Sequence, residues 1–149
     1  MLKYFIPPVL AASRLPGATY KRILATSSGL GHSTSPIAGS YSATKFSVEA
    51  MMKSVAQALA QEKNIGAWPL APGVIQTEMM RNHQMPTALE WAKDAAPYIL
   101  QLGEHESTKS GSSVSVPGYY SEEYMATWII ENGQQLPSSV VAPFVPKKR

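Results

Sequence analysis

The sequence lacks several residue types on which common functions depend. With no cysteine among its 149 residues, the chain has neither a disulfide framework nor a thiolate nucleophile, which fits a cytoplasmic location. Its apolar start is broken by Pro7 and Pro8, and no stretch reaches the roughly 18–20 apolar residues of a membrane span. We therefore predict a cytoplasmic protein with no cleaved signal and no membrane partner.

Aspartate and histidine are also scarce. Asp94 is the single aspartate, and the glutamates show no paired arrangement suited to acid/base hydrolysis. The three histidines, His32, His83 and His105, are too dispersed to indicate a metal site, so we predict no bound metal. No Gly-x-Ser-x-Gly motif occurs, which leaves Ser28 and His32 without the sequence setting of a serine hydrolase.

Positive charge does not gather into a binding surface. The formal net charge is +3, but the 13 Lys and Arg are scattered, and only Pro146 to Arg149 forms a basic cluster. Because this cluster has no interleaved aromatic residues, it indicates a solvated tail and not a nucleic-acid surface. We predict no nucleic-acid partner.

The apolar pattern predicts alternating helices and strands in one domain. It indicates helices over 4–13, 40–63, 78–83 and 87–102, strands over 22–27 and 65–70, and a last apolar element over 124–130. Thr87 is the expected N-cap of its helix, with Glu90 at the capping-box position. We predict an α/β fold with a Rossmann-like three-layer parallel sheet over 1–133, an irregular insertion over 103–124, and a poorly ordered, basic, Pro-rich tail over 134–149.

The helix over 40–63 is apolar on two sides. One face carries Val48, Met52, Val55 and Leu59, and the other carries Ala43, Phe46, Ala50 and Ala58. We expect one face to pack on the sheet and the other on a second helix or a partner chain.

The start of this helix carries a candidate chemical pair. Tyr41 and Lys45 lie four residues apart, so on a helix their side chains project from the same face. A tyrosine phenol is a poor acid or base near neutral pH, and a lysine one turn away stabilises the phenolate. The spacing alone is weak evidence, but Ser28 lies 13 residues before Tyr41 at the end of a predicted strand, and a rigid turn over 72–77 follows the next strand.

Three segments, ILATSS (23–28), YSATK (41–45) and APGVIQT (71–77), in this order and spacing, resemble the catalytic half of the classical short-chain dehydrogenase/reductases. The resemblance covers about residues 4–102. It implies an NAD(P)-dependent oxidoreductase that acts on a small-molecule carbonyl or secondary alcohol, with NAD or NADP as cofactor. It also implies a homo-oligomer assembled through the helix over 40–63.

The resemblance assigns a role to each matching residue. Tyr41 would be the catalytic acid/base, Lys45 would support it and hold the nicotinamide ribose, and Ser28 would bind the substrate oxygen. The remaining cofactor-binding positions would be Pro72, Gly73, Ile75 and Thr77. Residues 78–85 would cover the substrate, and Met79, Met80 and Met85 would suit an adaptable apolar lid.

The sequence departs from the family in its cofactor-binding half. It has no Gly-rich turn to receive a pyrophosphate; Gly29 and Gly31 form a close pair without a third glycine at the required spacing. The family's asparagine on the preceding helix is missing as well, since the first asparagine is Asn64. We therefore keep an alternative open, a truncated, non-catalytic relative that acts through helix-mediated subunit association.

Overall fold

The computed structural model describes residues 2–34, 38–78, 86–105, 108–116 and 119. Its regular elements, in chain order, are α1 (Leu2–Ser13), β1 (Lys21–Thr26), a 3-10 turn (Gly29–Gly31), α2 (Gly39–Ala58), β2 (Ile65–Ala71), α3 (Ala88–Leu100) and β3 (Val114–Ser115). No helix in these ranges is long and apolar enough to cross a membrane.

The strands form one sheet in the order β1-β2-β3. β1 and β2 are parallel, with Lys21 opposite Ile65 and Thr26 opposite Leu70. All seven residues of β2 are buried, as expected of a central strand covered on both faces. The predicted Rossmann-like α/β fold is confirmed, and β1 is an edge strand within the part of the chain that the structure describes.

The chain divides into two compact units. The first comprises residues 1–71 and 97–114. Its core uses one of the two apolar faces predicted for the helix over 40–63: Met52, Val55 and Leu59 pack with Ile23 of β1 and Ile65 of β2. The opposite face of α2 is exposed, so its expected partner stays a prediction.

Trp68 of β2 holds the polar segment that follows α3. Its side chain is fully buried, and its indole Nε1 donates to the carbonyl oxygens of Thr108 at 2.9 Å and Lys109 at 3.0 Å. The amide of Gly111 donates to the carbonyl of Ala67 at 2.8 Å. These contacts attach the polar segment after α3 to β2.

The second unit comprises residues 72–96 and 115–149. Its described part includes most of α3, which begins with the predicted capping box. The Thr87 hydroxyl accepts from the Glu90 amide at 3.2 Å, and a Glu90 carboxylate oxygen accepts from the Thr87 amide at 2.7 Å. Trp91 donates from Nε1 to the Pro72 carbonyl at 2.8 Å.

Three boundaries differ from the sequence-based predictions. α1 continues through Pro7 and Pro8, which we expected to interrupt or start a helix. α2 ends at Ala58 and not at Lys63, because the amides of Ala60 and Glu62 bond three residues back and wind the chain into a tight turn before β2. β3 lies inside the segment over 103–124 that we predicted to be an irregular insertion.

Two further predictions concern residues outside the described ranges: the apolar element over 124–130 and the tail over 134–149. Of the short helix over 78–83, only Glu78 is described.

Candidate active site

Tyr41 and Lys45 lie in the first two turns of α2, as their spacing predicts. The Lys45 ammonium nitrogen is 5.5 Å from the centroid of the Tyr41 ring. The same nitrogen donates a 2.9 Å hydrogen bond to the carbonyl oxygen of Thr26, the last residue of β1. This bond ties the cation to the carboxyl end of the strand while keeping it beside the tyrosine.

Ser28 follows β1 by two residues and caps the 3-10 turn. Its backbone is extended, and its Oγ accepts a 3.3 Å hydrogen bond from the amide of Leu30. Because this contact uses the oxygen as acceptor, the hydroxyl hydrogen can be donated to another group. Ser28 therefore has the chemistry to hold a substrate oxygen.

The 3-10 turn packs directly on the helix that carries Tyr41 and Lys45. A Cβ atom on Gly31 would lie 2.8 Å from Ser27 Oγ, 3.0 Å from Glu49 Cγ and 3.3 Å from the carbonyl oxygen of Lys45. Only a residue without a side chain allows so close an approach. This contact holds the 3-10 turn, which Ser28 caps, against the part of α2 that contains Lys45 and Glu49.

Tyr41 remains accessible in this arrangement. Its side chain is 39% exposed, whereas Ser42, the next residue on the helix, is buried. A partly exposed phenol can contact a small molecule without a change in core packing.

The turn after β2 is held by backbone contacts within the second unit. The Pro72 carbonyl accepts from Trp91, the Val74 amide donates to the Tyr119 carbonyl at 2.8 Å, and the Gln76 amide donates to the Pro86 carbonyl at 2.8 Å. Bonds on both sides of Ile75 give this loop a defined path.

Gly73 shows why this loop needs a glycine. Its φ of +84° lies in the left-handed region, and a Cβ atom there would overlap the backbone of Tyr119. Burial, followed by the 2.8 Å hydrogen bond to Asp94, raises the pKa of Tyr119 to about 12. A phenol in this state is a structural donor and not an acid/base near neutral pH.

The predicted site residues thus fall into two groups. Ser28, Tyr41 and Lys45 all belong to the first unit, in which the 3-10 turn capped by Ser28 packs on the helix that carries the other two residues. The predicted cofactor residues of the loop, Pro72, Gly73, Ile75 and Thr77, belong to the second unit, where Ile75 is half-buried and Thr77 is exposed.

The remaining predictions for the site concern the lid methionines and metal binding. The lid methionines Met79, Met80 and Met85 lie outside the described residues. Among the residues that are described, no group of three His, Cys, Asp or Glu side chains could hold a metal ion.

One buried residue beside this group was not predicted. Glu49, four residues after Lys45, is only 4% exposed and accepts a hydrogen bond from Ser27. A signal for its burial was present in the sequence, because Glu49 stands three residues before Met52 and seven before Ala56, on the face of α2 that enters the core.

A family model described as short chain dehydrogenase matches residues 8–87, more than half of the chain. The chain belongs to the short-chain dehydrogenase family. The predicted resemblance is therefore confirmed. A search of curated proteins gives no match.

Solved structures of short-chain dehydrogenases share the fold. One from Salmonella enterica serovar Typhi is 22% identical with a TM-score of 0.57, over 75% of this chain and 45% of that one. One from Shigella flexneri complexed with NADP is 22% identical with a TM-score of 0.58, over 77% and 46%. A putative one from Pseudomonas syringae is 26% identical with a TM-score of 0.51, over 64% and 40%. The chain spans less than half the length of these structures.

Proposed function

We propose that this chain carries the proton-transfer site of an NAD(P)-dependent oxidoreductase that acts on a carbonyl or secondary alcohol. The observation that carries the proposal is the position of Lys45, whose ammonium lies beside the Tyr41 ring and is anchored to the end of β1. A cation held there stabilises the negative charge that develops on the Tyr41 oxygen while its proton is being transferred.

Each of the three residues has one task in this proposal. In the reductive direction, Tyr41 donates its hydroxyl proton to the carbonyl oxygen of the substrate, and Lys45 stabilises the resulting phenolate. Ser28 donates its hydroxyl hydrogen to the same substrate oxygen and so orients it, since its own oxygen already accepts from Leu30. In the oxidative direction, the proton moves from the alcohol to Tyr41.

The residues present fit the nicotinamide end of a dinucleotide. A lysine ammonium has three donors, and the bond to Thr26 uses one, which leaves donors for ribose hydroxyls. We assign the carboxamide to the Ile75 amide and the Thr77 hydroxyl, in the turn shaped by Pro72 and Gly73. When bound, the cofactor supplies or accepts the hydride.

The pyrophosphate end finds no such partner in this sequence. No Gly-x-Gly-x-x-Gly turn is present, so the amides that would receive two phosphate groups are missing. We propose that tight dinucleotide binding and full turnover need residues other than these 149. The structure from Shigella flexneri was solved with NADP, but for this chain we leave the choice between NAD and NADP open.

A second candidate function is subunit association through α2. Its outer face leaves Phe46 42% exposed, and Met51, on another side of the same helix, is 40% exposed. We propose a homo-oligomer that covers this face. The contact could accompany the enzymatic function or, in a non-catalytic relative, replace it.

Calorimetric titration with NADH and with NADPH tests the proposal. We expect weak, saturable binding, because the pyrophosphate has no glycine-rich turn here, and we expect Lys45→Ala and Thr77→Ala to weaken it further. Tyr41→Phe should keep the binding and abolish any turnover, because it removes only the hydroxyl. Tyr4→Phe, the same change at an exposed tyrosine of α1, is the matched control and should alter neither.

Failure to bind either cofactor by a folded chain would contradict the enzymatic proposal and favour association. The second candidate then makes its own prediction. Phe46→Asp should shift the chain to a smaller species in sedimentation, whereas Lys45→Ala should not. A monomeric wild type would refute it.

A further inference from the structure

The buried carboxylate of Glu49 lies at the junction of three segments. Its side chain is 5% exposed, on the α2 turn that follows Lys45. A buried carboxylate is costly unless hydrogen bonds or opposite charges compensate it, so its partners indicate what it does. They fall into two sets, one on each carboxylate oxygen.

The first oxygen, Oε1, contacts the segment that contains Ser28. Ser27 Oγ donates to Oε1 at 2.5 Å, and His32 Nε2 lies 3.2 Å from the same oxygen. Ser27 directly precedes Ser28, and His32 directly follows the 3-10 turn that Ser28 caps. One oxygen atom thus holds both ends of the Ser28 segment.

The second oxygen, Oε2, faces away from that segment. Ser113 Oγ, from the residue before β3, donates to Oε2 at 2.5 Å, and Lys53 Nζ lies 3.9 Å from it. These contacts join α2 to the end of the sheet and to its own next turn. They touch neither Ser28 nor the 3-10 turn.

Gly31 completes the arrangement. Because a Cβ atom on Gly31 would already crowd Ser27 Oγ and Glu49 Cγ, the turn lies against α2 with no spare room. Ser28 is therefore placed by contacts on either side of it, and its own side chain stays available.

We propose that Glu49 is a positioning residue that fixes Ser28 relative to Tyr41 and Lys45, through Ser27 on one side and His32 on the other. The inference rests on the proposed function, in which Ser28 orients the substrate oxygen. A displacement of about 1 Å in such a group can cost roughly a hundredfold in rate, so a rigid attachment has a catalytic consequence.

The two oxygens of Glu49 allow a matched comparison. Ser27→Ala removes the hydrogen bond on the Ser28 side, and Ser113→Ala removes the equally short one on the opposite side. Both changes delete one hydroxyl that bonds to the same carboxylate. His32→Ala tests the second contact at a half-exposed position, and His32→Gln, which keeps an N–H donor, is its conservative rescue.

The first measurement does not depend on activity. In ¹⁵N NMR spectra of the full chain, the Leu30 amide reports its bond to Ser28 Oγ, and Ser28→Ala gives the reference for losing that bond. We expect Ser27→Ala and His32→Ala to shift the Leu30 amide in the direction of the reference and to speed its hydrogen exchange about tenfold relative to β2. His32→Gln should restore the wild-type signal.

Ser113→Ala should leave the Leu30 amide unchanged, although it lowers the denaturation midpoint. If Ser27→Ala and His32→Ala leave this amide unchanged, or if Ser113→Ala perturbs it as much as they do, the positioning role is wrong and Glu49 only stabilises the fold. Glu49→Gln extends the series where it folds, but the conclusion does not depend on it.

Turnover, where it is measured, separates this inference from the proposed function. We then expect Ser27→Ala to lower kcat about tenfold or more with little change in KM for the cofactor, and Ser113→Ala to leave kcat unchanged. Retained activity in Tyr41→Phe would refute the proposed function without touching the NMR result. Unchanged kcat in Ser27→Ala, beside an inactive Tyr41→Phe, would refute the positioning role alone.

Discussion

Replacing Gly31 with alanine tests the close packing between the 3-10 turn and α2. The added Cβ would meet Ser27 Oγ at 2.8 Å and the Lys45 carbonyl oxygen at 3.3 Å. The serine cannot easily turn away, because it is bonded to buried Glu49, and the carbonyl belongs to helix backbone. Overpacking of this kind costs about 1–3 kcal/mol.

A matched glycine gives the opposite expectation. A Cβ on Gly39, the first residue of α2, would meet nothing within 4 Å. Gly39→Ala should therefore stabilise the chain by about 0.5–1 kcal/mol through the lower entropy of the unfolded state. Gly31→Ala gains the same entropy term, so subtracting it from the middle of the overpacking range leaves a net loss of about 1 kcal/mol.

Urea denaturation followed by circular dichroism measures both variants. With a slope of about 2 kcal/mol per molar urea, Gly31→Ala should lower the midpoint by about 0.5 M, and Gly39→Ala should raise it by about 0.25–0.5 M. The slopes should match the wild type. An unchanged or raised midpoint for Gly31→Ala would refute the packing of the turn on α2.

Three further predictions concern stability. Trp68→Phe should cost about 1–3 kcal/mol in the same assay, because two carbonyl oxygens lose the indole donor. Thr87→Ala should lower the helical signal of α3 and destabilise it by about 1 kcal/mol, whereas Thr87→Ser should not. The hydrogen bond from Arg14 lowers the pKa of Glu62 below its ordinary value of 4.5. The ionised Glu62 therefore stabilises the folded state above that pH, and this contribution is lost as the pH falls and the carboxylate is protonated. The difference in urea midpoint between wild type and Glu62→Gln should accordingly become smaller from pH 4.5 towards pH 2. A difference that does not change with pH would show that the Arg14–Glu62 pair does not cause it.

Local signals in the sequence predicted most of the first unit. The β-prone runs over 22–27 and 65–70 match β1 and β2 to within a residue. Apolar runs of this length between turn residues favour strands because they are too short for a typical helix. The Tyr41–Lys45 pair was predictable because helical spacing alone puts the two side chains on one face. Thr87 was predictable as an N-cap because its partner, Glu90, stands at a set distance along the chain.

Contacts between distant segments were not predictable in the same way. Glu49 was missed because a charged residue on a helix is usually solvated, and its donors Ser27 and Ser113 are 22 and 64 residues away. The end of α2 at Ala58 was missed because the following residues include no helix breaker before Asn64. β3 was not predicted because a strand of two residues is too short to show a periodic pattern in the sequence.

The most direct test of the account is an NMR titration of the chain with nicotinamide mononucleotide, which contains the half of the cofactor that we propose these residues bind. We predict saturable shifts at the Tyr41 and Lys45 amides, lost in Lys45→Ala and kept in Lys63→Ala, a change at an exposed lysine beyond α2. The dinucleotide should bind little better than the mononucleotide, because its pyrophosphate has no glycine-rich turn here. Shifts that persist in Lys45→Ala, or none in a folded wild type, would contradict the proposed nicotinamide site.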